Sequence, residues 1–256
     1  MSIFFEHVNP EARIVGGTQA AARSHPHMGS LTNGGFVSGL ICGSSVISRR
    51  TVLTAAHCIT AVLSSGGNLS NTLRVAVGTN SWNVGGWSYN FQSFVIHPNY
   101  NANTIKNDIG VLITARNIFM DNTVKTIALN YDWIGDSVNT KVAGWGRMST
   151  NGHLSTRLLE LDTATIDGNR CVRDVASAAA SFNMRAPHVD PAIELCTFHS
   201  HNHGICNGDS GSALVRTDRG QQVGIVAWGL PCARGAPDVF VRVSAFRSWI
   251  ESNTVL

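Results

Sequence analysis

Cys206-Asn207-Gly208-Asp209-Ser210-Gly211-Ser212 sets one serine between glycines, directly after an acid and close to a cysteine. A serine hydroxyl is a weak nucleophile by itself, so a catalytic reading needs a base and an orienting carboxylate elsewhere in the chain. Leu53-Thr54-Ala55-Ala56-His57-Cys58 offers an imidazole among small residues, and Asn107-Asp108-Ile109-Gly110-Val111-Leu112 offers a carboxylate at the head of an apolar run. No Asp or Glu occurs anywhere from Ala12 through Asn107, which singles out Asp108. Gly, Asp and Ser are also common turn residues, so Ser210 alone would read as a turn; the three motifs together argue for chemistry.

The three motifs, in the order His57, Asp108, Ser210, resemble those of the chymotrypsin and trypsin family of serine proteases, and the resemblance runs from about Ile14 to the C-terminus. The nucleophile elbow of the α/β-hydrolases does not fit, because it needs Gly where this chain has Ser212. The resemblance implies an all-β fold, two six-stranded antiparallel Greek-key barrels with a C-terminal helix. It divides the chain into a pro-segment at 1–13, an N-terminal barrel at 14–125 and a C-terminal barrel at 126–256.

The strand pattern agrees with this implication. Leu73 to Val77 alternates as a strand with one buried face does, and Ile109 to Ile113 reads as a fully buried strand. Gly39 to Ile47, Phe91 to His97, Lys141 to Trp145, Gln222 to Trp228 and Val239 to Val243 are further strand candidates. Two helices are expected: a C-terminal one capped by Ser244, burying Phe246, Trp249 and Ile250, and a short one over Val175 to Ala180.

Composition bounds the function. The chain has 256 residues, 14% of them charged against roughly a quarter in typical domains, and a formal net charge of +3. No basic run with interleaved aromatics is present, so nucleic acid is not an expected partner, and no stretch is long and apolar enough to span a membrane. The six cysteines show no metal-ligand spacing. They allow fifteen pairings, and spacing does not choose among them. The family resemblance implies Cys42 with Cys58, Cys171 with Cys196 and Cys206 with Cys232, each worth roughly 2 to 4 kcal/mol. Such bonds imply an oxidising compartment and hence secretion. Met1 to Pro10 holds only the short apolar group Ile3-Phe4-Phe5, so the expectation is a precursor whose secretory signal has already been removed.

In the mechanism the resemblance implies, Ser210 attacks a peptide carbonyl, His57 relays the proton and Asp108 orients His57, while the N–H groups of Gly208 and Ser210 hold the oxyanion. Arg13-Ile14-Val15-Gly16-Gly17 resembles the family's activation site. Cleavage after Arg13 by a trypsin-like protease would free the Ile14 amine to pair with Asp209. No cofactor or metal is expected. The expected partners are polypeptide substrates, that activating protease and protein protease inhibitors, with the chain itself a monomer.

The substrate-binding set is Gly204, Ile205, Asn207, Trp228, Gly229 and Asp238. Gly204 stands where trypsin-like members carry an Asp, so the pocket favours medium-to-large apolar side chains. Asp238 points into the same pocket in the family alignment, as in broad-specificity collagenolytic members that also take basic residues, with Ile205 screening it. Ala227 replaces a family Ser whose hydroxyl supports the catalytic Asp. His199, His201 and His203 could share a strand face and grip a metal, but a solvated loop is the plainer expectation. The region about Thr79 to Gln92 has none of the family's calcium carboxylates. Asn68-Leu69-Ser70 is a glycosylation sequon. Only Lys106, Lys125 and Lys141 of the 19 basic residues are lysines. With His-Pro-His at 25–27, this looks like an insect gut chymotrypsin. The rival expectations are a non-catalytic homologue serving as a binding or adaptor protein, and a regulatory protease with one narrow target.

Overall fold

Thirteen strands form among the residues that the computed structural model describes, 14–230 and 232–256. The expected activation segment with Arg13 lies outside them. The strands are β1 (Thr18–Gln19), β2 (Met28–Asn33), β3 (Gly39–Val46), β4 (Thr51–Thr54), β5 (Arg74–Val77), β6 (Trp87–Ile96), β7 (Gly110–Thr114), β8 (Asn139–Gly144), β9 (Leu159–Ile166), β10 (Glu194–Phe198), β11 (Ala213–Arg216), β12 (Gln221–Gly229) and β13 (Asp238–Arg242). β2-β3-β4-β7-β6-β5 close into one antiparallel barrel. The order β9-β10-β13-β12-β11-β8, with β8 returning to β9, closes a second. Closure leaves neither barrel with the row of unpaired backbone groups an open sheet would present.

Sequence pattern explains the strand faces. In β5 Val75 and Val77 turn inward while Arg74 and Ala76 stay half-buried. β7 is buried along its whole length, because the short helix α1 (Ala56–Thr60) lies against it. A Cβ on Gly110 would come within 2.5 Å of the Ile59 side chain. The two barrels share one apolar core, in which Val111 and Leu112 of the first meet a cluster containing Ala227, Trp228 and Val241 of the second.

The chain ends cross over. β1 precedes the first barrel yet pairs with β9 of the second, and the Val255 carbonyl accepts hydrogen bonds from Ser48 and Thr51 of the first. β1 and the C-terminal residue Val255 are thus each held by the barrel to which their neighbours in sequence do not belong.

Two helix expectations are corrected. α2 spans Gly168–Ser181 rather than only Val175 to Ala180, because Asp167 caps it by accepting the Arg170 N–H at 2.9 Å. At the C-terminus Ser244 caps nothing. A 3₁₀ turn over Val243–Phe246 runs into α3 (Arg247–Asn253), and burial of Val243, Phe246 and Ile250 sets this path without a side-chain cap.

Candidate active site

β4 delivers the chain into α1 through Ala55 and Ala56, both fully buried, which brings His57 to the seam between the barrels. Asp108, 1% exposed, accepts the His57 backbone N–H at 2.8 Å and meets His57 Nδ1 at 2.7 Å. An ionised carboxylate only accepts, so Nδ1 carries the proton and Nε2 keeps its lone pair for the cleft. Burial and the charge of Asp108 together hold the nearby Tyr100 hydroxyl above the usual phenol range.

The Ser210 loop owes its shape to its glycines. Gly208 and Gly211 sit at φ of +101° and +82°, where side chains are disfavoured. A Cβ on Gly211 would also lie 2.2 Å from Thr54 Oγ1 and 2.4 Å from the Gly43 carbonyl oxygen, so only glycine lets the loop press onto the first barrel. The Gly43 N–H closes that contact by donating to the Ser210 carbonyl at 2.8 Å. Arg147 N–H holds the Asn207 carbonyl at 2.8 Å. In a trans peptide the N–H points opposite the carbonyl, so the Gly208 N–H is turned away from Arg147. Neither it nor the Ser210 N–H has an acceptor among the described residues. Both donors therefore lack an internal partner, and each would serve a developing oxyanion once the loop that carries it is held in place.

Ser210 and His57 line one cavity of about 370 Å³. No hydrogen bond joins them directly; such contacts commonly tighten only around a substrate. Ile205, Asn207, Gly208, Trp228 and Gly229 line the same cavity; Gly204 and the half-buried Asp238 are not part of its lining but sit next to Ile205 and Gly229. Asp238 Oδ2 accepts the Ile205 N–H at 3.0 Å, and a Cβ on Gly204 would stand 2.9 Å from that oxygen. Burial pushes the Asp238 carboxyl up to about 8, the nearby charge of Asp209 adding to the rise and the Ile205 hydrogen bond opposing it.

Ala227 is buried beside Trp228, and Asp108 receives hydrogen bonds from His57 alone among the described residues. A hydrogen bond to a charged group is worth roughly 1.5 to 3 kcal/mol. Ala227→Ser is therefore expected to raise kcat about tenfold in steady-state assays. A rise beyond about a thousandfold would mean that the two His57 contacts do not hold Asp108 in place.

The cysteines pair as Cys42–Cys58, Cys171–Cys196 and Cys206–Cys232. Cys42 and Cys58 lie close to His57, but with both sulfurs joined in a disulfide they offer no thiolate to a metal. His199 and His203 stack at 4.3 Å, and both turn Nδ1 to Ser200 Oγ. A larger cavity of about 810 Å³, lined in part by His25, His27 and Lys141, shares no residue with the catalytic cleft. Its His25 and Lys141 are already bonded to Glu160.

Two residues that touch Trp228 from outside the cavity lining escape sequence reasoning. Lys106 Nζ bonds both carboxylate oxygens of Glu194 at 2.8 Å, and Trp228 Nε1 donates to the same carboxylate at 2.9 Å. They stand 88 residues apart, and neither belongs to a recognisable motif.

Known proteins place this geometry. The family model described as Trypsin matches residues 14–250. "Trypsin alpha-4" of Lucilia cuprina is 33% identical over 94% of this chain and 88% of its own length. "Chymotrypsin-2" of Vespa crabro is 33% identical over 94% and 99%. Human heparin binding protein superposes with a TM-score of 0.74 at 26% identity, covering 94% of this chain and 98% of that one.

Proposed function

Because the chain belongs to the trypsin family of serine proteases, we propose that it is a secreted endopeptidase, made as a zymogen, that cleaves polypeptides after medium-to-large apolar residues. The carrying observation is the buried Asp108–His57 pair opening onto the same cavity as Ser210. In this reading Ser210 Oγ attacks the scissile carbonyl and His57 Nε2 takes its proton. Asp108 stabilises the imidazolium, and the Gly208 and Ser210 N–H groups receive the oxyanion. His57 then protonates the leaving amine, and water resolves the acyl-enzyme by the same steps.

Three disulfides support an oxidising, extracellular location. No helix among the described residues is long and apolar enough to cross a membrane. The preference for Arg over Lys supports work in an alkaline fluid such as a gut lumen, since arginine keeps its charge where lysine titrates. A trypsin-like protease would activate the chain after Arg13, and protein inhibitors would compete for the same cleft.

The apolar preference rests on Gly204 carrying no charge and on Ile205 and Gly229 lining the cavity while Asp238 does not. A second reading, tolerance of basic side chains, rests on Asp238 itself. An acid with a pKa of about 8 is neutral below that pH and a carboxylate above it. A peptide-library profile of the activated protein is expected to show apolar cleavage at pH 6.5, with cleavage after Lys or Arg rising at pH 9.5. Asp238→Asn should remove that rise and leave apolar cleavage intact. A library cleaved mainly after Lys or Arg at pH 6.5 would overturn the apolar assignment.

A further inference from the structure

The segment leading to Asp108 is contorted. Ile105 and Asn107 hold φ of 51° and 54° on either side of Lys106. Left-handed backbone at a β-branched residue costs about 1 to 3 kcal/mol and persists only where the surroundings impose it. Lys106 lies between them. Its ammonium reaches across the seam to Glu194 of β10, which is 3% exposed.

Glu194 has every acceptor direction engaged. Besides Lys106, its oxygens receive the Trp228 indole N–H at 2.9 Å and the Asp190 N–H at 2.7 Å. Lys106 Nζ also lies 5.4 Å from the Trp228 ring centroid. One ion pair therefore joins the loop before Asp108, on the first barrel, to the indole that walls the cleft on the second.

We propose that the Lys106–Glu194 pair is a positioning device for extended polypeptide substrates: it holds the Trp228 indole as a wall beside Ser210, while Asp108 keeps its own two contacts with His57. The inference rests on reading the cleft as a peptidase site. A chain running beyond the scissile residue along the cavity needs that wall, whereas a substrate confined to the Ser210 end does not. Removing one member of a buried pair also leaves the other charge uncompensated, so the conservative replacements matter.

The test uses the activated protein with two substrates, a single-residue ester and a peptide extending several residues before the scissile bond. Lys106→Met and Glu194→Gln are expected to raise KM for the long peptide about tenfold. The ester's kcat/KM should stay within about twofold, and Ser210 should react with a fluorophosphonate at an unchanged rate. Lys106→Arg, which keeps the charge, should hold the long-peptide KM within about threefold. In a Trp228→Phe background Lys106→Met should add little, since the ion pair acts through the indole. Equal losses on both substrates, or full additivity with Trp228→Phe, would overturn the proposal. If Lys106→Met does not fold, Lys106→Arg and Trp228→Phe decide it: a tenfold long-peptide defect is required in the second and not in the first. Normal fluorophosphonate labelling with an unmoved long-peptide KM would sink the positioning role alone. Absence of labelling in the unsubstituted protein would sink the peptidase reading with it.

Discussion

Replacing Ser210 with alanine is expected to lower kcat/KM on an apolar peptide by about 10⁵- to 10⁶-fold once the protein has been cut after Arg13. The nucleophile, base and orienting acid act as a unit, so His57→Ala should cost nearly as much, and the double variant little more than either. What survives, about 10³- to 10⁴-fold over water, would come from the Gly208 and Ser210 N–H donors and from binding in the cavity. Circular dichroism and thermal melting should be nearly unchanged, because Ser210 Oγ makes no hydrogen bond among the described residues. Steady-state kinetics and fluorophosphonate labelling separate the alternatives. A variant within about tenfold of its parent would remove Ser210 from the mechanism. A parent that neither hydrolyses peptides nor takes the label would be the non-catalytic adaptor.

The chemistry was more legible in the sequence than the wall that guides substrate to it. The Ser210 loop is read from local pattern, because Gly208 and Gly211 must be glycine for backbone reasons that act within a few residues. Asp108 stood out because the preceding stretch holds no other acid. Strands with strict alternation, such as β5, could be placed to within a residue. β4 and β11 are short and lack a clear alternating face, so their pairing is decided by barrel closure rather than by local sequence. Lys106 and Glu194 meet only through the packing of one barrel on the other, and no local spacing records that contact. Family alignment alone points Asp238 toward the pocket. Its placement beside Gly204 and Gly229, outside the cavity lining, depends on how β12 and β13 are bulged, with the register shifting between Val226 and Trp228.

Blocking the cut after Arg13 is the other large effect expected, with Arg13→Gln leaving hydrolysis at least about 100-fold below that of the cut protein. The reason lies at Asp209, which is 0% exposed and accepts the Gly146 N–H at 2.7 Å and the Cys206 N–H at 3.0 Å. No cation faces it among the described residues, and burial pushes its carboxyl up to about 6 despite those two bonds. An acid whose folded pKa exceeds its unfolded value of about 4 binds its proton more tightly when folded. The contribution of Asp209 to stability is therefore greatest below pH 4 and is lost as pH rises through 6, about 3 kcal/mol in all. The uncut chain also holds Ile14 at φ 44°, a costly angle for a β-branched residue, while its side chain is fully buried with Val142, Leu159 and Ile205. In the proposed activation, cleavage after Arg13 would relieve this angle and supply an α-ammonium, positive below about pH 8, to pair with Asp209. In urea melts from pH 4 to 7 the stability of the uncut protein relative to the cut protein should fall as pH rises, since buried His27, held down to about 3, adds the same opposing slope to both. Asp238 titrates higher, so an Asp238→Asn background isolates the Asp209 step. Asp209→Asn should abolish that difference between uncut and cut proteins, yet leave the cut protein poorly active, because a neutral amide cannot form the ion pair that orders the Gly208 donor. Cut and uncut proteins of equal activity, or a fully active Asp209→Asn, would break the link between this buried acid and the oxyanion loop.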